Sequence, residues 1–308
     1  MAPKVMQFID ACLHAGGGPG DGGEERGLGK GQGEGQAGKY IGLVCNSYSR
    51  AGLKNPVLFR ALSGAIQKLL KRDGWGEGGG EKGEGGERGG AFDSQAISNI
   101  LNAYAGLGVR DLALFSALAS VIRATPPEAF TPQAISTILN SCVRVQYQDE
   151  ALFKKMAAAA KLHPPSGFTH QTCALILNAF TRAGQNAPED LQRYLAAVID
   201  SLEPQNLSPQ ALATIVNAYT RATPTDPGSS AAVGGGVSRG GAREKGGDDE
   251  YVVRLLLKLA RASVLLCDEM DLHAISVLVN AFARTSHWRR GSAERAGGER
   301  GERGGGGA

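Results

Sequence analysis

The sequence holds little with which to do chemistry. Five cysteines and five histidines are spread through 308 residues, without the clustered spacing a zinc site needs. Cys45, Cys142 and Cys173 fall in the apolar phase of helical patterns, where a thiol serves as a small buried hydrophobe rather than as a ligand or nucleophile. No metal or other cofactor is expected. Nor is an enzyme or a small-molecule substrate, because no acid, base and nucleophile are written at a spacing that would bring them together. No run approaches the ~20 apolar residues of a membrane-spanning helix, so no membrane partner is expected, and no clear signal or transit peptide is legible at the N-terminus. GEGQAGKY, at residues 33–40, has the glycine and lysine spacing of a phosphate-binding loop, but Tyr40 replaces the required Ser or Thr and no strand precedes it. The Arg-Gly-Gly steps at Arg88, Arg239 and Arg303 are diluted by Glu and read as spacer.

Glycine, by contrast, is abundant and confined. Of 45 glycines, 38 lie in four tracts, residues 16–38, 73–90, 223–249 and 291–308. Such tracts cannot bury enough apolar surface to offset the entropy of ordering and are expected to be disordered. The two internal ones fall between helices, where insertion costs little because loop-closure entropy grows only logarithmically with length. Together the tracts carry −6 against +3 for the whole chain, which leaves +9 on the remainder. A moderately basic body suits a polyanionic partner.

Outside the tracts the chain repeats itself. CNSYSR begins at Cys45, LNAYAG at Leu101, LNSCVR at Leu139, LNAFTR at Leu177, VNAYTR at Val216 and VNAFAR at Val279. Asn102, Asn140, Asn178 and Asn217 stand 38, 38 and 39 residues apart, and the longer flanking intervals of 56 and 63 approach the same period once the insertions are removed. A fixed period of about 20–50 residues marks stacked units that bury their apolar faces only against one another.

With the Asn as position 0, positions −5, −2, −1 and +2 are apolar, as in Ile97, Ile100, Leu101 and Tyr104 or Ile135, Ile138, Leu139 and Cys142. That spacing is one face of an α-helix, helix A of each unit. Asp93, Thr131, Thr169 and Ser208 are placed to cap it, with Pro132 and Pro209 in the first turn. A second apolar helix, B, is expected to begin near Pro56, Val109, Tyr147, Pro188 and Asp249. The expected fold class is all-α, an αα-solenoid of about five helix pairs. The array spans residues 39–290, after a partial repeat helix at 1–15. Both ends lack part of a unit, so the chain is expected to be either a fragment of a longer array or one whose two ends dock on partners.

Helix A also has a polar face. Positions −7, −4, −3, 0 and +4 fall within an arc of about 100° opposite the core stripe. Position +4 supplies Arg50, Arg144, Arg182, Arg221 and Arg284, candidates for contact with a phosphate backbone. Position 0 is Asn46, Asn102, Asn140, Asn178, Asn217 and Asn280, either a structural ladder or one that touches the ligand. An identical residue cannot discriminate bases, so base reading is expected at the variable positions. These are Asn99, Thr137 and Thr214 at −3, and Ser98, Ser136 and Ser276 at −4.

The 38-residue helical pairs with ILNAY-like and LILNAF-like segments resemble the heptatricopeptide and octotricopeptide repeats of organellar RNA-binding proteins. Those include the repeat regions of RAP-domain proteins and the FAST-kinase-like leucine-rich group. The resemblance covers residues 39–290 without the insertions. It implies single-stranded RNA as ligand, ribonucleoprotein or ribosomal proteins as partners, and RNA processing, stability or ribosome assembly in the mitochondrion, with the plastid as the other compartment. No RAP domain is written here, so the nuclease-like activity suggested for that domain is not carried over. The alternative is a protein-interaction scaffold of the same fold, a structural subunit of a mitochondrial ribonucleoprotein that would contact protein rather than RNA.

Overall fold

The structure is a computed structural model that describes residue 7 and residues 37–75, 91–185, 187–203, 206–222 and 248–298, with the backbone alone for 222, 248–250 and 286–298. The described residues form eleven α-helices and no strand. They are α1 (Ala37–Arg50), α2 (Pro56–Arg72), α3 (Ser94–Gly106), α4 (Leu112–Ala124), α5 (Pro132–Arg144), α6 (Glu150–Ala160), α7 (His170–Arg182), α8 (Glu189–Ser201), α9 (Pro209–Ala222), α10 (Asp248–Leu265) and α11 (Leu272–Gly298). Odd-numbered helices are the A segments and even-numbered ones the B segments. The expected partial helix at 1–15 lies, but for Gln7, outside the described residues, as do 16–36, 76–90, 223–247 and 299–308.

A side-chain cap marks the start of eight of the eleven described helices. Asp93, Thr131, Thr169 and Ser208 accept the backbone N–H three residues on, at 2.6, 3.2, 3.1 and 3.2 Å. Asp271 does the same for α11 at 2.7 Å. Asn55, Asp111 and Asp149 cap α2, α4 and α6 in the same way. Such a cap typically stabilises by about 1 kcal/mol.

Helix ends repeat as well. Gly52, Gly108, Gln146 and Gly184, each six residues after the recurrent Asn, have φ of 66°, 64°, 58° and 69°. The following N–H then closes back on the helix, Leu53 to Tyr48 O, Val109 to Tyr104 O, Tyr147 to Cys142 O and Gln185 to Phe180 O. This is a left-handed C-terminal closure that satisfies otherwise orphaned carbonyls. These turns take up residues that the apolar pattern alone assigns to helix B. Consequently α4 and α6 start at Leu112 and Glu150, three residues later than expected.

The chain divides into two compact units, Met1–Gly167 and Phe168–Ala308. In the first, α1 packs on α3 and α3 on α5, while α2 packs on α4 and α4 on α6. In the second, α7 packs on α9 and α9 on α11, with α8 against α10. Each unit therefore has one layer of odd helices and one of even helices, and the core stripe lies between them. Ile97, Ile100, Leu101, Ile135, Ile138, Leu139, Ile176, Leu212 and Ile215 are all buried. Truncating one of these to Ala costs about 2–5 kcal/mol. Position +2 sets the register between layers: Tyr104 donates to Phe59 O at 2.7 Å and Tyr219 to Gln192 O at 2.8 Å. Phe59 and Gln192 are each the fourth residue of their helix, α2 and α8.

Four boundary expectations change. Ala37 and Gly38 belong to α1, not to a glycine-rich tract, and Gly38 is pressed so close to the Ala91 carbonyl that no larger residue fits. Residues 73–75 close α2, with Gly74 at φ 82° and Asp73 accepting the Ala91 N–H at 2.9 Å. Residues 248–249 open α10. Finally, α11 runs on to Gly298, eight residues into the expected tail, because Ala293, Glu294, Arg295 and Ala296 are good helix formers. In α11 the core stripe is also less covered: Ile275 and Val279 are 40% and 62% exposed, since no described helix follows to cover them.

Candidate nucleic-acid interface

Which side of an odd helix stays open depends on how its neighbour approaches. Position −7 is exposed in Gln95, Gln133, Gln171, Gln210 and His273, and position +4 in Arg50, Gly106, Arg144, Arg182 and Arg221. The Asn at position 0 is half-buried, or exposed in Asn280, and Asn99, Thr137 and Thr214 at −3 are half-buried. These four positions fit within about 60° of arc. They form the stripe that each unit presents to solvent on its odd-helix layer.

Position −4, about 40° outside that arc, is buried in α1, α3, α5, α7 and α9. Ser98 and Ser136 are only 3% and 2% exposed, and their hydroxyls donate to Gln95 O and Gln133 O, both at 2.9 Å. Both serines therefore leave the base-reading set. Gly42, Ala174 and Ala213 share the position and are buried too. The position is small because the helices approach closely: a Cβ at Gly42 would lie 3.2 Å from the Ala96 Cα. Ser276 is exposed because no described odd helix follows α11. Of the −3 residues, Asn99 accepts from Gln95 Nε2 at 3.3 Å and Thr214 donates to Gln210 O at 2.8 Å.

The asparagines divide into two kinds. The side-chain amides of Asn46, Asn102, Asn140 and Asn178 bond no described residue and are not sealed from water. The expected bond to backbone or to the next Asn is not made by these four. Asn217 is different, because its Oδ1 accepts from Arg284 Nη2 at 2.7 Å.

Charge is sorted by layer. Helices α1, α3, α5, α7 and α9 contain no Asp or Glu. The ion pairs Arg72–Asp73, Arg123–Asp149, Lys154–Glu150, Arg193–Glu189 and Lys258–Asp200 all sit on or beside even helices. Arg50, Arg144, Arg182 and Arg221 have no ion pair among the described residues. Four exposed guanidiniums are thus left uncompensated on acid-free helices, the last turn of which also favours a cation through the helix dipole.

Arg284 departs from the expected backbone-contact set. It is half-buried, donates from Nη2 to Asn217 and, at 3.3 Å, to Thr220 Oγ1, and keeps a buried Nε without a partner among the described residues. Burial, and then the Arg221 charge, hold its pKa below the usual guanidinium range. It lines a cavity of about 430 Å³ in the second unit together with Leu177, Phe180, Gln185, Tyr219 and Arg221. This cavity has no signature in the repeat pattern. Acid-free odd helices, however, were legible as a composition difference between A and B segments.

Other chemistry is limited. Cys45, Cys142 and Cys173 are buried in the core, and burial pushes each thiol up to about 12. No group of His, Cys, Asp and Glu among the described residues is placed to hold a metal, and no described helix is long and apolar enough to cross a membrane. The chain matches no family model, and no curated protein matches it. The class defined by the described residues is an all-α protein of layered helices.

Proposed function

We propose that this chain is a non-enzymatic RNA-binding αα-solenoid, with its helix pairs as the repeat units and single-stranded RNA contacting the odd-helix layer of each unit. The observation that carries the reading is the set of exposed, unpaired Arg50, Arg144, Arg182 and Arg221 on helices without a single acidic residue. A polyanion gains affinity by neutralising phosphates with such cations and releasing counterions. The half-exposed Asn, Gln and Thr positions beside them supply hydrogen-bonding groups at the spacing of the repeat. Action in mitochondrial RNA processing, stability or ribosome assembly, with ribosomal or other ribonucleoprotein partners, is proposed from the resemblance of the repeats.

A scaffold reading retains one specific support. Val264, Leu265, Leu272 and Val279 are 71%, 80%, 85% and 62% exposed in α10 and α11, apolar side chains of the kind that dock protein when they adjoin. Ultraviolet crosslinking in cells, followed by sequencing of the RNA recovered with the protein, separates the two. Enrichment of defined transcripts supports RNA binding; recovery of protein partners without RNA selects the scaffold.

A further inference from the structure

The cavity around Arg284 does not belong to the repeated stripe. It lies between the C-terminal closure of α7, at Gln185, and the later turns of α9 and α11. Two guanidiniums, Arg221 and Arg284, border it, and neither has a carboxylate partner among the described residues. Arg284 is held in place from one side only. Asn217 and Thr220 fix Nη2 at 2.7 and 3.3 Å, and both acceptors are neutral. An anion entering the cavity would pair with the two guanidiniums and relieve the repulsion between them.

The shape narrows the anion. A volume of about 430 Å³ far exceeds a lone phosphate and falls in the range of small-molecule sites. One wall is apolar and aromatic, with Leu177, Phe180 and Tyr219, while Gln185 brings an amide. Two facing cations match a dianion better than a singly charged carboxylate or internal phosphodiester, and a phosphate monoester carries close to two charges at neutral pH.

We propose that this cavity binds a phosphate monoester of a sugar that bears a flat base, either a free mononucleotide or the 5′-phosphorylated end of an RNA strand, with Arg284 and Arg221 holding the dianion. The RNA source rests on the RNA-binding reading; the mononucleotide source does not.

Calorimetric titration of the full-length protein tests this with AMP, adenosine, and one short RNA bearing either a 5′-monophosphate or a 5′-hydroxyl. Loss of the charged hydrogen bonds should weaken adenosine against AMP, or the hydroxyl RNA against its phosphorylated form, by roughly 10- to 100-fold. Arg284→Gln should abolish that preference and Arg284→Lys should retain part of it. Gln185→Trp, which fills the cavity while leaving both arginines, should abolish it too and guards against a folding defect in the Arg284 variants. AMP preference without any RNA binding supports the cavity and rejects RNA binding. Preference for phosphorylated RNA alone assigns the strand end as the source. Equal binding of both RNAs with no AMP binding overturns the cavity proposal and leaves RNA binding intact, as does a preference that survives both Arg284→Gln and Gln185→Trp.

Discussion

Simultaneous Arg50→Gln, Arg144→Gln, Arg182→Gln and Arg221→Gln substitution removes the four unpaired cations of the odd helices. All four side chains are exposed and lack ion pairs among the described residues, so each substitution should change stability by less than about 0.5 kcal/mol. If each neutralises one phosphate of a single strand, the slope of log affinity against log salt should fall by about 0.7 per contact, or about 2.8 for the four. Over a fourfold range of salt, that is a salt sensitivity roughly 50-fold smaller. Filter binding at several salt concentrations reads this directly. The matched control carries Arg60→Gln, Lys68→Gln, Arg254→Gln and Arg261→Gln, four exposed cations of the even helices with the same loss of charge. A general field effect would lower the slope equally in both proteins. An unchanged slope in the odd-helix variant, folded by circular dichroism, or an equal fall in the control, would refute a phosphate-tracking surface on the odd layer.

Four further outcomes are expected. Asn140→Ala should leave urea stability within about 0.5 kcal/mol, because its amide bonds no described residue, whereas Asn217→Ala should cost about 1–3 kcal/mol by stranding Arg284. In native protein at pH 8, Cys267 should react with a thiol reagent while Cys45, Cys142 and Cys173 react only after denaturation, as peptide mapping would show. Because those three thiols stay protonated to about 12 when folded but ionise near 9.0 when unfolded, their contribution to stability should be full below pH 9 and decline as pH rises from 9 to 12. Replacing residues 76–90 by a short Gly/Ser turn should move the thermal midpoint by only about 2–4 °C, since Asp73 and Ala91 already meet at 2.9 Å; loss of cooperative melting would show that the insertion packs.

Local and periodic features were determined by the sequence alone. The Asn period and the −5, −2, −1, +2 stripe place helix A because a helix buries whichever residues recur at its own periodicity, and Asp93, Thr131, Thr169 and Ser208 cap it because short polar side chains reach the N–H three residues on. The exposed face at positions −7, −3, 0 and +4 followed from the same arithmetic. What tertiary structure decided was where that face ends and which of its members are free. Ser98 and Ser136 share the polar arc but are buried and bond the backbone of their own helices, which residue periodicity does not encode. Arg284 repeats Arg221 in sequence yet bonds Asn217, because a helix 67 residues further on brings it there. Ile275 and Val279 repeat buried residues yet stand in solvent, since burial depends on a neighbour and not on the side chain alone. The cavity beside Arg284 exists only where three odd helices and the turn after α7 converge, so its residues carry no motif that a linear reading could recognise.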